Sequence, residues 1–402
     1  MTVPLRTLLK SPPRYGIGAA SVPHKWDLPT YIRITDIDED GRFSPSPRVS
    51  VSSSQSSMYM LRSGDIVVAR TGASVGKSYR YRPDDGPLVF AGFLMAISPD
   101  PAKLLPEYLG FFLQTKAYWD WVEVESTRSG QPGINAQQLG NLPVPILPVD
   151  HQRMIARQLQ AAEQLVDVLE QLIAKKRDVK QGMVQELLTG RTRLAGYAEP
   201  WQRVVLGSLG VFSKGRGIKR DEVRPSGIPC IRYGELYTTY RDYTAKTVSF
   251  VGSDVASTSQ PIRSGDLLFA ASGETKEEIG TCVAYVGEQD AVAGGDTIIL
   301  RGGGYDPVYL ATLLNTPAMV AQKASAGQGD AVVHISSRAL AGIEFDLPEI
   351  GEQRAVAQII RDADAEIDSL ERRLESTRLI KRGMMQELLT GRTRLATTEA
   401  AA

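Results

Sequence analysis

The sequence predicts an α+β fold: two mixed α/β domains, each followed by a long helix, with the two helices antiparallel about an internal pseudo-two-fold repeat. Three observations predict it. Gln185-Glu-Leu-Leu-Thr-Gly-Arg-Thr-Arg-Leu-Ala195 recurs letter for letter as Gln386 to Ala396, 201 residues later. A self-similar period of this length means that one unit of about 200 residues is used twice. Within each unit, short β-branched runs and glycine-rich turns come first, and a heptad-spaced apolar seam follows.

The offset of 201 carries through the chain. It pairs Arg62-Ser-Gly-Asp65 with Arg263-Ser-Gly-Asp266, Tyr108-Leu109 with Tyr309-Leu310, and Gln152-Arg153 with Gln353-Arg354. The expected domains are residues 1–148 and 193–348, the expected helical segments 149–192 and 349–395, with 396–402 a disordered tail. Strands are expected at Ile66-Val-Val-Ala69 and Thr297-Ile-Ile-Leu300. A helix is expected from Pro106 to Val122 and another from Pro307 to Ala324, each with proline in its first turn.

The long helices are read from spacing. Val356, Ile360, Ala363, Ile367, Leu370 and Leu374 step by four and three, as do Ile155, Leu159, Ala162, Val166, Leu169 and Ile173. The seam turns polar at Lys176 and Thr377 and resumes at Met183/Met384 and Leu187/Leu388. Gly190 and Gly391 are the expected C-caps, and Gly182 and Gly383 are earlier points where a helix could bend. About 38 helical residues make a rod of roughly 55–60 Å. A stripe only two residues wide calls for a helix as partner rather than the broad face of a domain. The other copy supplies one, and a two-fold relating the units sets the pair antiparallel. The expected shape is two heads held apart by a rod.

Bulk properties narrow the function. Lysine plus arginine and aspartate plus glutamate both number 46, so net charge is zero, which excludes a uniformly basic coat for nucleic acid. Residues 1–148 hold 15 basic against 13 acidic side chains and residues 196–348 hold 14 against 17, so binding of a polyanion has to come from charge placement. No run of 18 apolar residues is present, the N-terminus lacks an apolar signal core, and the expected address is cytoplasmic. Cys230 and Cys282 have no neighbouring Cys or His, so neither a disulfide scaffold nor a zinc site is expected.

Three near-motifs invite an enzymatic reading, and each falls short. Gly72-Ala-Ser-Val-Gly76-Lys77-Ser78 follows a strand, but it has three residues between glycines where a phosphate-binding loop has four. A strand-like Ser78-Tyr-Arg-Tyr-Arg82 follows instead of a helix. Asp266 with Glu274-Thr-Lys276 has a metal-nuclease spacing, yet the first unit has Ala73-Ser-Val75 there. Ser11-Pro12-Pro13-Arg14-Tyr15 resembles an adenine-methyltransferase loop without its amide or aromatic residue. His24, His151 and His334 are scattered. No catalytic residue, metal site or cofactor is expected in the chain itself.

The assembled motifs resemble the specificity subunits of type I restriction–modification systems. They are the repeated ends Met183–Leu194 and Met384–Leu395, the helix entries Pro148-Val-Asp-His-Gln-Arg153 and Pro348-Glu-Ile-Gly-Glu-Gln-Arg354, and the paired Arg-Ser-Gly-Asp turns. Ile32-Arg33, Ile231-Arg232 and Trp201 with Leu206-Gly-Ser-Leu209 complete the set. The resemblance implies two target-recognition domains that each read half of a bipartite site in double-stranded DNA, with the helices as a ruler between them. It also implies two docked methyltransferase (modification) subunits that methylate adenine N6 with S-adenosylmethionine. Up to two ATP- and Mg-dependent restriction/translocase subunits join them. Rival readings are a stand-alone nuclease or NTPase, a scaffold that never reads sequence, and the same module in a modification-only complex.

Base reading needs long polar or aromatic side chains on loops, and glycine lets backbone approach a duplex. In unit one the candidates are Arg14, Tyr15, Lys25, Arg70, Thr71, Lys77, Ser78, Arg128 and Gln131. In unit two they are Lys214, Arg216, Lys219, Arg220, Ser272, Lys276, Gln328 and His334. Arg33, Arg232 and Tyr233 follow strands and are weaker.

Overall fold

The computed structural model describes all residues except 1, 128–131, 274, 330–332, 391–392 and 394–402. The chain divides into two compact units, Met1–Leu172 with Leu370–Ala402, and Ile173–Ser369. The expected tail falls outside the described residues, as does Gly391.

In unit one the central sheet is antiparallel, ordered Arg14–Tyr15, Leu94–Ile97, Ile66–Ala69, Ser78–Arg80. A second sheet, ordered Ser21–Pro23, Val49–Val51, Thr30–Ile32, Leu88–Phe90, covers one of its faces and has one parallel pairing. Strand periodicity explains the apolar run Ile66-Val-Val-Ala69. Ile66 and Val68 join one apolar cluster, with Tyr108, Leu109 and the helices, while Val67 and Ala69 join another with Leu88 and Phe90. A strand covered on both faces has no polar side to show.

Unit two repeats the plan. Its central sheet runs Gly210–Lys214, Thr297–Gly302, Leu267–Ala270, Cys282–Tyr285, Tyr243–Thr244. The companion sheet runs Ser249–Val251, Ile228–Ile231, Ala291–Ala293, Gln260–Ile262. Leu267 and Phe269 face the cluster shared with the helices, and Leu268 and Ala270 face the companion sheet. Cys230 and Cys282 are free and buried.

The helices expected from Pro106 to Val122 and from Pro307 to Ala324 are each two helices: Pro106–Phe112 and Lys116–Ser126, then Pro307–Leu314 and Pro317–Ala326. The break has a local cause. Thr115 Oγ1 caps the second helix by accepting from Tyr118 N–H, and Pro317 has no N–H to give to the turn before it.

The long helices span Val149–Leu188 and Ile350–Leu388, running on through Gly182 and Gly383. The chain leaves the first through Gly190 at φ 69°, packed against the Trp201 ring. In unit one Glu163 and Glu170 of the first helix meet Lys381 and Arg378 of the second at 3.3 and 2.7 Å. In unit two Lys176 and Lys180 meet Glu366 and Asp364 at 2.7 and 2.6 Å. Ascending numbers on one helix meet descending numbers on the other, so the helix segments are antiparallel within each unit. Glu163–Lys381 and Asp364–Lys180 are the same pair under the offset of 201.

The seam departs from a pure helix-to-helix contact. Ile155 and Leu159 belong to the core of the first domain, together with Met385 and Leu388. Val356 and Ile360 belong to that of the second, with Leu187 and Leu188. Val166, Leu169, Ile173 and Ile367 are buried, and Leu370 and Leu374 are half-buried. The first turns of each helix are therefore packed against a domain as well as a helix. The Gln-Arg entry explains how: Gln152 and Gln353 are fully buried. Gln152 accepts from Leu105 N–H at 2.8 Å and donates to the Lys103 and Leu147 carbonyls. Gln353 accepts from Asp306 N–H at 2.9 Å and donates to the Pro348 carbonyl.

Candidate nucleic-acid interface

At one end of each central sheet four segments far apart in sequence are tied by backbone bonds. In unit one Arg70 N–H donates to Phe93 O, Ile134 N–H to Arg70 O and Gly16 N–H to Leu94 O, at 3.0, 2.9 and 3.1 Å. In unit two Ala271 N–H donates to Asp296 O, Ile335 N–H to Ala271 O and Gly215 N–H to Thr297 O, at 2.8, 2.9 and 2.8 Å. The two knots are the same knot. It requires glycine at the crossing: a Cβ on Gly16 would lie 2.1 Å from Ala91 O, and one on Gly215 would lie 1.8 Å from Gly294 O.

The knot gathers part of the expected set in unit one. Arg70 lies over the Tyr15 ring at 4.9 Å and donates from Nε to Gly92 O at 3.1 Å. Tyr15 Oη accepts from Ala136 N–H. Thr71 bridges Gly133; Arg128 and Gln131 lie outside the described residues. Lys25 is exposed on a different loop, its N–H held by Ser50 Oγ. Arg14 reaches Asp65 at 3.6 Å, Lys77 is paired with Glu39, and Ser78 is buried in its strand.

Unit two gathers a different set. Ser272 is buried, and its Oγ lies 2.8 Å from His334 Nδ1. Gln328 and His334 exchange two backbone bonds, and both side chains are exposed. Arg216 donates to Gln260 Oε1 at 3.1 Å and Lys219 N–H to Glu222 at 2.6 Å. Lys214 and Lys276 are exposed. Arg220 lines a cleft of about 780 Å³ with Tyr233, Gly217, Gly294, Gly295 and Asp296. Behind the loops, Lys323 is buried with Nζ 2.6 Å from Gly280 O, and burial pushes its ammonium down to about 8. Arg33 and Arg232 are engaged by Asp36 and Glu235, consistent with a structural use.

Sequence reasoning missed three exposed residues. Trp26 is 95% exposed beside Lys25, and Phe93 is 59% exposed in the unit-one knot. Asp296 stands at Phe93's place in unit two, at φ 56°. Gly92-Phe93 and Gly294-Gly295-Asp296 read as turns between apolar runs, which was the available signal.

The near-motifs have structural uses. Gly72–Ser74 is the turn of an antiparallel hairpin, not the entry to a helix. Asp266 closes its turn by accepting from Arg263 N–H, as Asp65 does from Arg62, and it also pairs with Arg301. Glu274 lies outside the described residues. Among the described residues no cluster of His, Cys, Asp and Glu could hold a metal, and no helix is long and apolar enough to cross a membrane.

Comparison with known proteins agrees with this architecture. Residues 43–175 match the model of the type I restriction modification DNA specificity domain. The chain is 22% identical over 307 residues to the type I restriction enzyme MjaVIII specificity subunit of Methanocaldococcus jannaschii, covering 72% of this chain and 70% of that one. It is 23% identical over 363 residues to the putative type I restriction enzyme MjaX specificity subunit of the same organism, covering 84% and 80%. The type I restriction-modification system S subunit from M. genitalium shares the fold, with a TM-score of 0.61 at 15% identity over 97% of this chain and 96% of that one. With its duplicated units, repeated helix ends and paired loop knots, the chain is similar over most of its length to type I restriction–modification specificity subunits, and residues 43–175 match their DNA specificity domain.

Proposed function

We propose that the chain reads a bipartite, asymmetric site in double-stranded DNA, one half-site per domain, and directs adenine-N6 methylation or restriction by partner subunits. The observation that carries this reading is the doubled knot. One backbone scaffold occurs twice with different side chains, while the helix ends Gln185–Ala195 and Gln386–Ala396 are identical. Two different readers attached to two equal docking ends suit an asymmetric site served by two copies of one methyltransferase. Restriction/translocase subunits join the same assembly. The chain supplies no reaction centre: S-adenosylmethionine, ATP and Mg belong to the partners.

Recognition is assigned to the knots, with Tyr15, Arg70 and Thr71 in one domain, and Lys214, Arg216, Lys276, Gln328 and His334 in the other, where the buried Ser272 supports the His334 ring. Lys25, Lys219 and Arg220 on neighbouring loops serve phosphates. Arg14 and Lys77 already have carboxylate partners, and Ser78 faces the interior, so these three support the loops.

The helices act as the ruler. Seven residues inserted in heptad register into each helix add about 10 Å of rise, roughly three base pairs. Mapped methylation sites should then keep both half-sites and gain about three base pairs between them. Altered bases with an unchanged gap would contradict the ruler.

A further inference from the structure

Resting on that reading, we infer that Arg70 reads a guanine in the first domain's half-site and Asp296 reads a cytosine amino group in the second's. The knot makes positions 70 and 271, and 93 and 296, structurally equivalent: the N–H of the first donates to the carbonyl of the second in each unit. Unit one fills them with Arg and Phe, unit two with Ala and Asp. The same two places on one scaffold therefore carry opposite hydrogen-bonding chemistry.

Arg70 is held before any ligand arrives. Its Nε–H is committed to Gly92 O, and the Tyr15 ring, itself fixed by Ala136 N–H, supports the guanidinium plane. The two Nη groups have no other partner among the described residues and form a donor fork. Guanine is the base that offers two adjacent acceptors, O6 and N7, in the major groove. Phe93 beside it is apolar and exposed, which suits contact with a neighbouring thymine methyl.

Asp296 is a pure acceptor. Its side chain is exposed at the rim of the cleft, and it has no hydrogen-bond or ion-pair partner among the described residues. It keeps a left-handed backbone that most residues avoid and that aspartate and asparagine tolerate. A carboxylate in the major groove pairs with the N4 amino group of cytosine, while an asparagine or glutamine amide matches adenine N6 and N7.

The test maps N6-methyladenine in cells expressing the chain with its methyltransferase, for wild type, R70Q and D296N. D296N keeps the size of the side chain and a residue suited to φ 56°, while R70Q keeps a planar polar end on a shorter stem. R70Q should turn one guanine of one half-site to adenine or to any base, with roughly ten- to hundredfold lost preference. D296N should do the same to one cytosine of the other half-site. Motifs unchanged base for base overturn the inference and leave the specificity reading standing. A variant that loses methylation altogether is then measured as purified complex on duplexes carrying each base at every position. Equal discrimination to wild type there also overturns it. A motif that persists when the chain is deleted overturns the underlying reading instead.

Discussion

Gln353→Leu is expected to lower the stability of unit two by about 2–4 kcal/mol, a large effect for one side chain replaced by another of similar volume. The substitution keeps volume and apolar contact, so no cavity term enters. It removes the acceptor of Asp306 N–H and the donor to Pro348 O in a fully buried place. Each stranded backbone group costs about 1–3 kcal/mol. Asp306 in turn caps the helix Pro307–Leu314 through Val308 and Tyr309 N–H, so the loss reaches the helix that covers the central sheet. Urea unfolding checks it, with Gln358→Leu as reference, because Gln358 is exposed and bonded only to Asp362 one turn on. A midpoint shift equal to that of the reference would remove the clamp role.

Exchange of residues 1–148 for the corresponding domain of another specificity subunit is expected to replace one half-site completely and leave the other, and the gap, unchanged. The helix residues that the domain packs on, Ile155 and Leu159, stay with the recipient, so the graft has to match at the Gln152 clamp. Methylation mapping reads the result. If both half-sites changed together, the domains would not be independent readers.

The long helices and the duplication were legible because both are one-dimensional signals: a spacing of three and four, and an offset of 201. The Gln-Arg entry was visible as a motif, but not its purpose, since the partners of Gln353 lie at Asp306 and Pro348. The break before Lys116 and Pro317 was overrun because the apolar pattern continues across it, while the cap that ends it is a single threonine in one copy. The reading surface was legible only in part. Loops were recognisable from glycine and polar composition, and Tyr15, Arg70 and Thr71 do converge. Which face a loop residue takes is set by pairings that join residues 16, 70, 93 and 134, and no local spacing encodes those. Hence Ser78 and Ser272, polar beside glycine-rich turns, are buried. Phe93 and Asp296, one apolar and one acidic, occupy the same exposed corner of the two knots.

The most direct measurement is genome-wide mapping of N6-methyladenine in cells with this gene and with it deleted, methyltransferase retained in both. Loss of methylation at one bipartite, asymmetric motif, with all other motifs untouched, is the predicted result. A methylation pattern identical in the two strains, from cells in which the chain co-purifies with an active methyltransferase, would contradict the assignment of specificity to this chain.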